Sequence, residues 1–167
     1  WPKTDNNKWN NWDGFYHRNS SGGGYWEFRK KLKEFWTINY KGLTFKISPT
    51  NFKHTGIFPE QATNWDYIME KVSEKKSDDF KVLNLFAYTG CATMAASYAG
   101  ADEVVHVDAS KGMIDWAKEN MKLSNLENNK IRFIVDDVLK FLEREKRLLR
   151  LGQNIIQKKN KTYKYLI

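Results

Sequence analysis

Three places in this sequence carry residue types suited to holding a polar ligand, and each comes at the end of an apolar run. The first is Leu83-Asn84-Leu85-Phe86-Ala87-Tyr88-Thr89-Gly90. A strand-to-helix turn here needs a residue without a side chain where the backbone comes close to a ligand, and Gly90 supplies one. The small residues after it would open a helix whose free N–H groups face an anionic group. An ordinary turn between a strand and a helix uses the same residues. Asp108 follows 18 positions after Gly90, at the end of Glu103-Val104-Val105-His106-Val107. A carboxylate at that point can accept both hydroxyls of a ribose, or it can cap the turn before Ser110. Asp136-Asp137 ends the run 131–135. One of the two acids suits the amino group of an adenine with Val138 against the ring, or the pair is a solvated helix start favoured by the macrodipole. Three polar strand ends in series favour an adenosine-containing ligand more than any one of them does alone. The G-x-G-x-x-G fingerprint is missing, which argues against a nicotinamide or flavin enzyme.

The elements that must position these residues read as alternating strands and helices. Residues 61–75 place Ala62, Trp65, Ile68, Met69 and Val72 at helical spacing. Residues 81–86 form a buried strand, 91–99 a small-residue helix, and 103–107 a second strand. Ser110 caps a helix bearing Met113, Trp116, Ala117 and Met121. Residues 131–135 form a third strand, 138 to about 149 a third helix, and 163–167 the start of a fourth strand. This β-α-β-α-β-α-β order predicts an α/β fold with a parallel sheet. Ahead of it, 25–28, 35–38 and 43–47 read as short strands, the last two joined by a turn at Asn39-Tyr40-Lys41-Gly42. Residues 1–24, rich in Asn, Gly, Ser and Trp, read as irregular. The division expected is an N-terminal β appendage over 1–50 and a core over 51–167.

Phe52-Lys53-His54-Thr55-Gly56-Ile57-Phe58-Pro59-Glu60-Gln61, Val82 through Gly90, and His106-Val107-Asp108-Ala109-Ser110-Lys111 come in an order and spacing that resemble one family. It is the class I bacterial methyltransferases that include the cytosine-C5 and guanine-N7 methyltransferases of large-subunit ribosomal RNA. The resemblance implies a Rossmann-like fold and S-adenosyl-L-methionine as cofactor. It assigns Asn84, Phe86, Ala87, Tyr88, Thr89 and Gly90 to a loop around the methionine part, and Asp108, with Ala109 and Ser110, to the ribose. The acid it gives to the adenine is Asp137, beside Asp136 and Val138 of the same strand end, while Thr55, Phe58 and Gln61 line the same pocket. The implied activity is methylation of a base in RNA, with ribosomal RNA as the implied partner.

The family continues from its fourth strand into an Asp-Pro-Pro motif, and members acting on cytosine C5 carry a nucleophilic Cys beyond it. Here the sequence ends at Ile167. The expectation is a core truncated in its fourth strand, inactive alone, and able to pair with another chain through that strand's edge. A non-catalytic RNA- or cofactor-binding remnant is the alternative. No catalytic residue is assigned: Cys91, the single cysteine, reads as a small structural residue of the loop. His17, His54 and His106 have no metal-ligand spacing, and packing is the expected role of His106.

Composition agrees with a packed, cytoplasmic protein without a membrane span. Hydrophobic residues make up 41% and aromatics 15%, and no apolar run reaches the roughly 18 residues a spanning helix needs. A net charge of +8 suits a polyanion. Lys146, Arg147, Arg150, Lys158, Lys159, Lys161 and Lys164 follow Glu145 without an acid, as a phosphate track or as a solvated helix end and loop. Trp1, Trp9, Trp12 and Trp26 either stack bases or hold the irregular start onto the core.

Overall fold

The computed structural model describes residues 5–50, 53–75, 79–154 and 165–166. Its elements are α1 (Asn6–Asn10), β1 (Gly14–Arg18), β2 (Gly24–Phe28), β3 (Trp36–Tyr40), β4 (Leu43–Ile47) and a 3-10 turn (Pro59–Gln61), followed by α2 (Ala62–Ser73), β5 (Lys81–Leu85), α3 (Cys91–Tyr98), β6 (Glu103–Asp108), α4 (Lys111–Leu123), β7 (Ile131–Val135), α5 (Val138–Asn154) and β8 (Tyr165–Leu166). They cluster into two compact units, one of Trp1–Ile38 with Lys46–Ile57 and one of Asn39–Phe45 with Phe58–Ile167.

The first unit holds more regular structure than its composition suggests. Asp5 caps α1, its Oδ1 accepting the N–H groups of Asn7 and Lys8 at 3.0 and 3.2 Å. Residues 14–18, read from sequence as irregular, form β1, which pairs antiparallel with β2 from Gly14 opposite Phe28 to Arg18 opposite Gly24. The serines and glycines at 20–23 make the turn between them: Asn19 N–H bonds to the Gly23 carbonyl at 2.8 Å, and Gly22 sits at φ +92°. Cross-strand ring contacts stabilise this pairing, and a propensity scan does not register them. β3 and β4 form a second two-stranded sheet, joined through Lys41-Gly42.

The second unit carries the parallel sheet, in the order β7-β6-β5-β8. Val82 lies opposite Val104, Leu83 opposite Val105 and Asn84 opposite His106, and β6 continues onto β7 with Val107 opposite Ile134. β8 pairs parallel on the other side of β5, Val82 opposite Tyr165 and Leu83 opposite Leu166. Tyr163 and Ile167, expected in this strand, lie outside the described residues. So do the basic residues Lys158, Lys159, Lys161 and Lys164; Lys146 and Arg147 belong to α5, which runs on past 149 to Asn154.

Both faces of the central strands β5 and β6 are covered, and that is why they are buried at nearly every position instead of alternately. Leu83, Val105 and Val107 pack with Val138 and Phe141 of α5. On the opposite face Asn84 and His106 meet Thr93 of α3. Strand order reverses beside β5, because β6 and β7 lie to one side of it and β8 to the other. In an open parallel sheet a crevice for ligands forms outside the carboxyl ends of the strands at such a reversal.

Candidate cofactor site

The loop from Phe86 to Gly90 leaves the carboxyl end of β5 at this reversal. Phe86 (φ +52°) and Tyr88 (φ +51°) are in the left-handed region, which costs a residue with a β-carbon roughly 1–2 kcal/mol. Such conformations persist where surrounding contacts over-determine them, and they concentrate at ligand sites. The contacts here are identifiable. Ala87 N–H bonds to the Val107 carbonyl at 3.1 Å, and Gly90 N–H to the Ala87 carbonyl at 2.9 Å. Tyr88 N–H donates to Asp108 Oδ2 at 2.8 Å. Asn120 of α4, fully buried, donates from Nδ2 to the Thr89 carbonyl at 2.9 Å.

The loop closes over a cavity of about 420 Å³ lined by Phe58, Gln61, Trp65, Asn84, Phe86 and Tyr88 among others, with Ala87, Thr89 and Gly90 in its wall. That volume is within the range of small-molecule sites, roughly 300–1,000 Å³. Phe58 and Tyr88 form one side, their ring centroids 5.1 Å apart at 47°. Trp65 is buried and fixed by the rings of Tyr40 at 5.6 Å and Phe45 at 5.7 Å. Gln61 is exposed and accepts from Asn64 Nδ2 at 2.7 Å. Phe86, 73% exposed, presents an apolar ring to solvent.

Asp108 ends β6, and its two carboxylate oxygens face different donors. Oδ2 takes the Tyr88 amide, and Oδ1 takes the Ser110 N–H at 2.8 Å. A carboxylate has about four lone-pair positions, so each oxygen keeps one for a vicinal diol. The site therefore fits an adenosine cofactor: a cavity of suitable size lies beside a half-buried acid with acceptor capacity in reserve. Ala109 is exposed, and Ser110 caps α4 by accepting Met113 N–H at 3.4 Å. Asp136 continues the line of strand ends, its N–H bonded to the Asp108 carbonyl at 3.0 Å and its carboxylate paired with Arg144. Asp137 Oδ1 accepts Lys140 N–H at 3.0 Å at the start of α5.

Three expectations change. Gly90 is at φ +83°, yet a β-carbon there would meet Ala117, Met94 and His106 at 3.1–3.3 Å, all of them core atoms. The missing side chain serves helix packing as well as the open backbone approach read from sequence. Val138 is 4% exposed and joins the core under α5, so it offers no open platform; Val135 (52%) and Leu139 (68%) are the apolar groups exposed near that strand end. Thr55 belongs to the first unit, where its carbonyl accepts Ser48 N–H at 3.1 Å, and it is not among the cavity residues. Trp65 and Asn120 went unassigned because helical periodicity marks both simply as inward-facing.

Two further groups are inert by environment. Burial pushes the Cys91 thiol up to about 12, which removes the thiolate a nucleophile needs. Burial pulls His106 down to about 4, against the opposing effects of Asp108 and the Tyr88 backbone. No cluster able to hold a metal occurs among the described residues, and none of their helices is long and apolar enough to cross a membrane.

The sequence model of the S-adenosylmethionine-dependent methyltransferase family matches residues 15–160. The chain belongs to that family. Among solved structures, a SAM-dependent methyltransferase from Agrobacterium tumefaciens is 42% identical with a TM-score of 0.81, over 88% of this chain and 46% of that one. Among curated relatives, ribosomal RNA large subunit methyltransferase K/L of Colwellia psychrerythraea is 34% identical over 74% of this chain and 16% of its own length. The protein of the same name from Syntrophotalea carbinolica is 34% identical over 77% and 17%. This methyltransferase-family chain thus spans about a sixth of the length of those curated relatives. Its parallel sheet and N-terminal strands agree with the Rossmann-like fold expected from sequence.

Proposed function

We propose that this chain is the cofactor-binding part of an S-adenosylmethionine-dependent methyltransferase that acts on a base of large-subunit ribosomal RNA in the cytoplasm. The observation that carries the cofactor reading is Asp108 bridging the strained β5 loop and the start of α4 while keeping acceptor positions free. The names of the K/L relatives support the RNA substrate, and the net charge of +8 agrees with a polyanion. When bound, S-adenosylmethionine supplies a methyl group activated on a sulfonium. Asp108 holds the ribose hydroxyls, Asn84 and residues 86–90 enclose the methionine part, and Phe58, Gln61 and Tyr88 exclude water at one side. Asp136 or Asp137 faces the adenine edge. The protein's contribution is chiefly to position the reactants.

Calorimetric titration with S-adenosylhomocysteine and, separately, with NAD tests this reading. Tighter binding of S-adenosylhomocysteine is expected. Tighter binding of NAD would overturn it.

A further inference from the structure

The β1–β2 hairpin has two unlike faces. On one, Trp26 donates its indole N–H to the Thr50 carbonyl at 2.8 Å and stacks on Phe28 with an interplanar angle of 9°. That face is tied into its own unit. On the other, the register puts Phe15 opposite Glu27 and His17 opposite Tyr25. Their rings continue one another: Trp12 to Phe15 at 5.6 Å, Phe15 to His17 at 4.8 Å, and His17 stacked on Tyr25 at 4.8 Å and 16°. The guanidinium of Arg29 caps this row, 3.9 Å from the Trp12 ring. Phe15 is 41% and Tyr25 59% exposed.

A row of flat groups open to solvent is expensive to keep in water and needs a reason. Its charged surroundings are mainly positive. Arg29-Lys30-Lys31-Leu32-Lys33 follows β2 directly, and Arg18 ends β1. The acids nearby are held in pairs, Glu27 by His17 at 2.6 Å and Asp13 by Lys30 at 2.8 Å. Arg18, Lys31 and Lys33 are exposed. Stacking planes interleaved with cations fit unpaired bases on a phosphate backbone; duplex RNA keeps its bases' faces covered.

We propose that the Trp12–Phe15–His17–Tyr25 face is a docking surface for single-stranded RNA, with bases stacked on the rings and phosphates drawn to Arg18, Arg29 and Lys31. The proposal rests on the reading above that the substrate is RNA. It goes beyond that reading in assigning recognition of an unpaired segment to a surface outside the cofactor unit. The alternative, that the rings only hold the hairpin together, predicts loss of folding without a selective loss of binding.

Anisotropy of a labelled single-stranded RNA of about 12 nucleotides, against a duplex of the same sequence, tests it. The double variant F15T/Y25T keeps good strand formers in place. The expected result is a preference for the single strand, reduced at least about tenfold in the variant, while S-adenosylhomocysteine affinity stays as in the parent and circular dichroism shows the variant folded at the assay temperature. Equal affinity for duplex, or an undiminished single-strand affinity in the folded variant, overturns the proposal and leaves the cofactor reading standing. Photocrosslinking of the parent protein to RNA carrying 4-thiouridine decides the case if the variant does not fold. Adducts on residues 12–25 support the proposal. Adducts confined elsewhere, or none, overturn it, the latter including a face occupied by another protein.

Discussion

The backbone N–H of Tyr88 donates to Asp108 Oδ2 at 2.8 Å, so the acid that ends β6 also fixes the loop that ends β5. The same carboxylate takes Ser110 N–H through Oδ1 at 2.8 Å, and the Asp108 carbonyl accepts Asp136 N–H at 3.0 Å. One residue thus joins three adjacent strand ends, and its charge serves both loop geometry and ligand.

Asp108→Asn separates charge from shape. An amide has one acceptor oxygen, so its NH2 must confront either the Tyr88 or the Ser110 amide. Hydrogen bonds to charged groups contribute about 1.5–3 kcal/mol. S-adenosylhomocysteine affinity should fall about tenfold to a hundredfold, with a lower melting temperature. Unchanged affinity by calorimetry would remove Asp108 from the site.

Gly90→Ala tests the packing role. The substitution forces a β-carbon into φ +83° and to 3.1–3.3 Å from Ala117, Met94 and His106. The expected destabilisation is about 1–3 kcal/mol, and more for Gly90→Val. Chemical denaturation measures it, and a fully stable Gly90→Val protein would contradict the geometry.

The strands and helices around the sheet were legible because burial on both sides leaves an apolar signal that needs no tertiary information. Val104, Val105 and Val107 are fully buried and read as strand at once. β1 was not legible, since Gly14, His17 and Arg18 dilute its pattern and its support is a cross-strand row of rings. Asp108 could be picked out by its place at a strand end. The direction of Gly90's absent side chain could not, because spacing along the chain says nothing about which neighbour stands behind a turn. Val138 illustrates the same limit: one step of helix rotation separates it, buried, from Leu139, exposed.

Phe86→Asn should separate stability from binding. Phe86 is 73% exposed at φ +52°, a conformation that Asn tolerates far better. Stability should hold or rise by up to about 1 kcal/mol, while S-adenosylhomocysteine affinity falls because the ring no longer covers the ligand. A variant both less stable and undiminished in affinity would refute this assignment.

His106 should make stability fall in mild acid. It is completely buried on β6; Asn84 Nδ2 donates to Thr93 Oγ1 at 2.8 Å, leaving the Thr93 hydroxyl to donate to His106 Nδ1 at 2.9 Å. The ring proton then sits on Nε2, which makes no hydrogen bond of good geometry among the described residues. Burial holds the folded-state value at about 4, below the ordinary 6.5. Between these values the unfolded chain binds a proton that the folded chain refuses. Stability is therefore unaffected by this group above pH 6.5, declines as pH falls through the interval, and levels off near 4. The slope is about 1.4 kcal/mol per pH unit. His106→Gln removes the titration, so urea unfolding of parent and variant at pH 7.5 and 5.5 isolates it. The parent should lose about 1.4 kcal/mol more than the variant over that span. Equal losses in the two proteins would show that His106 is not held neutral by the fold.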